Sequence, residues 1–223
     1  MSLYSTVMKK ATAERIIDRS KFIVNIIPCE SREDAMIFFD KIRKEYRDAT
    51  HNVPVMAIGD KCQLQWGSDD GEPQATAAAP ILHMLVLRSI SDVALMVTRY
   101  FGGIKLGTGG LVRAYTAVAE DGLEAAILCD VEEQTVLEGV LDYKAFNKLS
   151  QRHPGENGGI RNIRYEDKVR FEVVCSEEEK KSWMEIVNGI AMSENWIKSQ
   201  YSERIKVPKK VHKKPKKIVD KEL

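Results

Sequence analysis

Apolar positions follow two periods along this chain. Ile16 and Ile17, then the run 22–27, predict two strands joined by the turn 18–21. Ser31 and Asp34 form an S-x-x-D box ahead of Ala35, Phe38, Phe39, Ile42 and Tyr46, whose helical spacing predicts a helix ending near Arg47. His51, Asn52, Val53 and Pro54 interrupt the pattern, and residues 55–58 and 62–66 follow as a hairpin around Gly59, Asp60 and Lys61. Thr76 is placed to cap a helix beginning at Ala77, with Pro80 in its first turn and Ile81, Leu82, Leu85 and Val86 as its inner stripe. The apolar run 93–97 is too short and too rich in β-formers for a helix. Leu111, Val112, Tyr115, Val118, Ala119, Gly122, Leu123, Ala126 and Ile127 then return to helical spacing.

After about Cys129 the pattern restarts. A strand over 135–141, a helix over 143–151, strands at 160–165 and 169–174, a helix over 177–192 and a strand over 196–205 give the order β-α-β-β-α-β. That is the order of a ferredoxin-like module. The expected fold class is α+β, with a first domain over 1–129, a ferredoxin-like domain over 130–207 and a lysine-rich, flexible tail over 208–223.

Composition narrows the function classes. The 223 residues carry a formal charge of +1, and seven lysines crowd into 206–217; removing those seven charges leaves −6 for the remainder. A mildly acidic folded part argues against a broadly basic nucleic-acid surface but leaves room for a local basic patch. Cys29, Cys62, Cys129 and Cys175 are far apart and read as buried apolar residues of a reducing compartment. No apolar run reaches the length of a membrane span and the N-terminus has no signal-peptide core, so a cytoplasmic protein with no membrane partner is expected.

The chemistry concentrates in two stretches. Five of the 14 glycines lie within 102–110, between the strand and the helix. Such a loop aims backbone N–H groups in one direction beside a positive helix end. The candidate binding residues there are Arg99, Gly102, Gly103, Lys105, Gly107, Thr108, Gly109, Gly110 and Arg113. No Gly-Lys-Ser/Thr follows, and Val112 occupies the third glycine position of a dinucleotide fingerprint, so both nucleotide motifs are excluded. The second stretch is the acidic loop with Asp69, Asp70 and Glu72, near Thr76 and His51. Its carboxylates either form a turn, bonding backbone N–H groups or pairing with Arg99 and Arg113, or hold a magnesium ion; the turn is the favoured reading, and no cofactor or metal is expected. His51 with Asp69 or Asp70 would make an acid–base pair, but no serine or cysteine nucleophile stands in a recognisable elbow. Tyr100 and Phe101 lack the interleaved basic residues of a known RNA motif, and core packing is favoured over base stacking.

The blocks Ser68-Asp69-Asp70-Gly71-Glu72-Pro73, Arg99-Tyr100-Phe101-Gly102-Gly103 and 106–115 resemble the IMPACT/YigZ family. The resemblance implies an N-terminal domain of the α+β type shared by a small-subunit ribosomal protein and domain IV of elongation factor G, followed by a ferredoxin-like domain. It also implies a role around translation. Eukaryotic relatives restrain a starvation-activated kinase by competing for its ribosome-associated activator, and bacterial members are usually linked to nucleic-acid or ribosome contact. Where the family has glycines, this chain has Ala75 and Ala78, and Val53-Pro54 follows the His-Asn pair. An alanine at positive φ at position 75 would cost on the order of 1 kcal/mol. Three functions are therefore expected in turn: a non-catalytic translation-associated protein binding the ribosome, RNA or a ribosome-bound partner; an enzyme on a small phosphorylated or carboxylated substrate; and a protein-interaction module.

Overall fold

The computed structural model describes residues 2–152, 159–191 and 196–209. The described residues divide into two compact units, one built from 3–131 with 206–209, the other from within 132–205 with Ser2. The architecture is α+β, with helices on antiparallel sheets.

In the first unit β2 (Ala11–Ile17), β3 (Ser20–Pro28), β4 (His51–Ile58), β5 (Leu64–Gly67) and β6 (Val93–Tyr100) form one antiparallel sheet in the order β2-β3-β6-β4-β5. A strand alternates its side chains between faces. On β6, Val93, Leu95 and Val97 therefore join one core, and Ala94 and Met96 the other. The first core packs against α2 (Ala78–Leu87) and α3 (Gly107–Ala125), through Ile81, Leu85, Leu111, Tyr115, Val118 and Leu123. The second packs against α1 (Arg32–Glu45), through Ala35, Phe39 and Ile42. Central strands covered on both faces read as unbroken apolar runs, which explains the sequence around 93–97.

Ser31 caps α1 as its spacing predicts, accepting from the Asp34 N–H at 3.1 Å. The β2–β3 turn is tighter than 18–21: Asp18 and Arg19 alone lie outside the strands, both at positive φ (44° and 66°). All four cysteines are buried and free, and burial pushes the Cys29, Cys129 and Cys175 thiols up.

Four expectations are corrected. His51 to Pro54 do not break the chain's pattern but open β4. Pro54 lies opposite Met96, one residue beyond Val55–Gly67, the last β4–β5 pair. Its carbonyl accepts from the Ser68 N–H (3.2 Å), so its nitrogen, on the same side of the strand, faces the end of β5, where no ladder donor is needed. A strand β1 (Ser2–Val7) precedes the first expected one and pairs with β7 (Leu128–Leu141). Its buried positions include Ser5 and Thr6, so no apolar run marks it. The Tyr4 hydroxyl donates to the Asp92 carboxylate, Ser5 to Asp130 (3.0 Å) and Thr6 to the Asp92 carbonyl (3.0 Å). Helix α3 begins at Gly107, not at Leu111, because glycine hides the apolar periodicity without preventing the turn. Finally, the last strand β10 (Ile197–Pro208) runs beyond its expected end at Ile205, and the Lys209 ammonium pairs with Asp130 (3.0 Å). The rest of the expected tail lies outside the described residues.

In the second unit β7, β8 (Ile160–Tyr165), β9 (Val169–Cys175) and β10 take the order β10-β7-β9-β8. Helices α4 (Tyr143–Arg152) and α5 (Glu177–Ala191) share one core with that sheet, through Phe146, Leu149, Val187 and Ile190 against Leu137, Phe171 and Trp196.

Helix α3 approaches β3 closely at Gly122, where an added Cβ would stand 2.8 Å from Val24 Cγ2. Gly122→Ala is expected to lower stability by about 1–3 kcal/mol through overpacking. Urea unfolding of the single variants and of Gly122→Ala with Val24→Ala checks this, since the smaller partner should recover part of the loss as a coupling energy.

Candidate functional site

The site is built where the end of β6 meets the loop 68–77 and the hairpin β2–β3. Alternation along β6 places Arg99 on the same face as Val97, beside Phe22 and Tyr115. Only 4% of Arg99 is exposed. A buried guanidinium requires a counter-charge, and Arg99 finds it in Glu72, Nη1 to Oε1 at 2.6 Å. Its Nη2 donates to Ser20 Oγ (3.2 Å). The guanidinium carbon lies 5.3 Å from the Phe22 ring centroid and 5.5 Å from that of Phe101, so aromatic faces cover it where Nε has no hydrogen-bond partner.

Glu72 is itself buried and also accepts from the Tyr115 hydroxyl (2.8 Å). Burial first, then the neighbouring Glu72 carboxylate, holds Tyr115 far above the usual phenol range, so it remains a donor. His51 Nδ1 donates to the Asp70 carbonyl (2.8 Å), which leaves Nε2 3.8 Å from Glu72 Oε1.

The other carboxylates of the acidic loop hold backbone. Asp69 accepts from Ala75 N–H (2.7 Å) through Oδ2 and from Ala77 and Ala78 N–H (3.1 and 2.9 Å) through Oδ1. It thereby caps α2, the role the sequence assigned to Thr76, whose hydroxyl instead donates to the Pro73 carbonyl (2.6 Å). Asp70 accepts from the Asn52 N–H (2.6 Å). Ala75 sits at φ 59°, the strained position foreseen for it. The turn is thus what these acids make, with Glu72 alone spent on an arginine. Among the described residues no cluster of His, Cys, Asp or Glu is placed to hold a metal ion.

The glycine segment faces outward. Gly102 has its N–H bonded to Ser20 Oγ (3.2 Å), and a Cβ there would overlap the backbone of Arg19 and Ser20. Beyond it Gly103 and Gly107 take positive φ (86° and 70°) in open space. Gly109 and Gly110 lie in the first turn of α3. Phe101 is 46% exposed and Ile104 41%, contrary to the expected core packing of the Tyr100-Phe101 pair. Tyr100 donates to Asp48 (3.0 Å) at the surface. Lys105, Thr108 and Arg113 are exposed, and Lys105 and Arg113 contact no carboxylate among the described residues. No side chain caps α3 and no acid stands in its first turn.

The candidate residues therefore fall into two groups. Asp69, Asp70 and Thr76 are engaged with backbone groups of the loop, of β4 and of the start of α2, while Glu72 pairs with Arg99 beside His51. Gly102 is packed, and Gly103, Lys105, Gly107, Thr108, Gly109, Gly110 and Arg113 remain at the surface. The sequence reading missed Ser20 and Phe22 as partners of Arg99 and Tyr115 as a partner of Glu72. The signal for Tyr115 was its hydroxyl, because a tyrosine on an apolar helix stripe must find an acceptor when buried.

Comparison with known proteins places this arrangement among relatives. Residues 18–123 match the family model of the Impact N-terminal domain. The chain is 35% identical to the IMPACT family member YvyE of Bacillus subtilis (strain 168) over 190 residues, covering 83% of this chain and 88% of that protein. It is 33% identical over 154 residues to YigZ of Escherichia coli (strain K12), covering 76% of that protein. Protein IMPACT of Oryctolagus cuniculus is 31% identical over 96 residues, only 29% of its own length. The crystal structure of a hypothetical protein superposes with a TM-score of 0.54 at 24% identity, over 93% of this chain and 98% of that one, which supports a common fold.

Two outcomes test the network. Glu72→Gln leaves Arg99 charged, buried and unpaired, and is expected to cost about 3–5 kcal/mol in chemical denaturation. Tyr115 has a higher pKa folded than unfolded, so its contribution to stability is complete below about pH 10 and is lost as pH rises beyond that. Tyr115→Phe should start lower by about 1 kcal/mol for the lost hydrogen bond and show a flatter decline in stability between about pH 9 and 11.

Proposed function

The chain belongs to the IMPACT family, and we propose that it is a non-catalytic, translation-associated protein that contacts ribosomal RNA through the segment 101–113. One observation carries this reading. Within a single contiguous motif, Arg99 is buried against Glu72, whereas Lys105 and Arg113 stand exposed beside the uncapped start of α3. A helix N-terminus flanked by cations with no carboxylate to neutralise them favours an anion. RNA supplies phosphates in a row, at a surface too restricted to make the whole domain basic.

The same reading assigns the first unit the fold type of the small-subunit ribosomal protein and domain IV of elongation factor G. It assigns the second unit the ferredoxin-like fold, supported by its strand order β10-β7-β9-β8 with both helices in one core. A cytoplasmic location goes with contact to ribosomes. Lysines of the 206–217 run beyond Lys209 would add salt-dependent affinity. The alternative of an enzyme acting through Asp69 and Asp70 has less support, because both carboxylates are engaged with backbone N–H groups.

Co-sedimentation with ribosomes at low salt tests the proposal. Lys105→Glu with Arg113→Glu should weaken association roughly tenfold or more, and raising the salt should weaken the wild type likewise. Equal sedimentation of the wild type and the double variant would overturn it. Partners retained after RNase, with the ribosome lost, would move the reading to a protein-interaction module.

A further inference from the structure

Phe101 is an exposed aromatic side chain that the fold fixes unusually well. Its N–H donates to Thr50 Oγ1 (3.0 Å), and the next residue, Gly102, is locked against Arg19 and Ser20. Its ring lies over the Arg99 guanidinium, 5.5 Å from the carbon to the centroid. Arg99 in turn cannot move without leaving Glu72 and Ser20. The ring covers its cation with one face, and Phe101 keeps 46% of its surface exposed. Ile104 extends the apolar surface in the same loop. Arg19 at the hairpin tip, whose backbone abuts Gly102, and Lys105 and Arg113 of the same motif are exposed and contact no carboxylate among the described residues.

We infer that Phe101 is a base-stacking platform for an unpaired nucleotide of single-stranded RNA, with Arg19, Lys105 and Arg113 holding the flanking phosphates. The inference rests on the RNA-binding reading above and specifies its substrate. Three physical points support it. A base has a π-face that a flat, exposed ring accepts, and such stacking is a major part of single-strand affinity. A ring already fixed by backbone and guanidinium loses little freedom on binding. Bases within a duplex are stacked on each other and are not offered to a surface ring, whereas loops and bulges splay them out. The three exposed cations supply positive charge for the phosphates flanking such a base.

The test uses the full chain and fluorescein-labelled RNA 12-mers, single-stranded and as a duplex of the same sequence, titrated by anisotropy at several salt concentrations. Phe101→Ala should weaken single-strand binding about tenfold with little change in duplex binding. The slope of affinity against salt should stay the same, because the phosphate contacts remain. Phe101→Trp should retain or raise affinity. Phe101→Leu keeps apolar cover over Arg99 without a π-face, and should behave like Phe101→Ala even if the alanine variant is less stable. The inference is overturned if Phe101→Leu and Phe101→Ala bind like the wild type while Lys105→Gln with Arg113→Gln loses affinity. That result would leave the ribosomal RNA contact standing. Failure of the wild type to bind either RNA form also overturns it. Loss of ribosome co-sedimentation dependence on Lys105 and Arg113 is the separate failure of the function itself.

Discussion

The buried ion pair between Glu72 and Arg99 is the constraint around which the first unit closes. Two charges removed from water cost several kcal/mol each before any attraction returns it, so such a pair survives only with its remaining donors and acceptors occupied. Here Ser20 accepts from a second arginine nitrogen, the Tyr115 hydroxyl donates a hydrogen bond to the same carboxylate oxygen, and the Phe22 and Phe101 rings cover the faces. Those partners come from the hairpin, the acidic loop, β6 and α3. The pair is therefore weak evidence for net stability and strong evidence for register. Shifting β6 by one residue would turn Arg99 to the α1 face and strand Glu72 in the core.

This explains which parts of the fold were legible in the sequence. Strands covered on both faces announce themselves as apolar runs, and Ala35, Phe39 and Ile42 recur at helical spacing on α1. β1 was not legible, because its buried Ser5 and Thr6 are satisfied by Asp130 and the Asp92 carbonyl, residues more than 80 positions away. Pro54 argues against a strand until it is known that β5 ends one residue short of it. The cap of α2 was assigned to the nearest hydroxyl, Thr76. The carboxylate that performs it, Asp69, arrives through a turn strained at Asp70 and Ala75, with φ of 48° and 59°.

The site was legible as a set of residues but not as an arrangement. Glu72 and Arg99 meet as an ion pair with His51 nearby, whereas Asp69 and Asp70 hold the backbone of the loop and of β4. What sequence could not supply is the face each residue takes. On a strand that choice follows parity, and parity is known only when the strand's end is known. β6 is marked in the sequence only by the apolar run 93–97. It continues to Tyr100, which puts Arg99 inside and lets the chain leave the sheet just as Phe101 begins.

The two halves of the motif are thereby linked mechanically. The same guanidinium that neutralises Glu72 underlies the exposed ring of Phe101. The same serine that receives Arg99 also receives the Gly102 N–H. A weakened inner network would therefore loosen the outer surface even though no residue of that surface had changed. A surface whose aromatic ring is held by a charge network in the core keeps its shape between encounters, and binding then costs little ordering. On this view the acidic loop is not a second site that competes with the glycine segment. It is the anchor that holds Phe101 and Gly102 where the chain leaves β6.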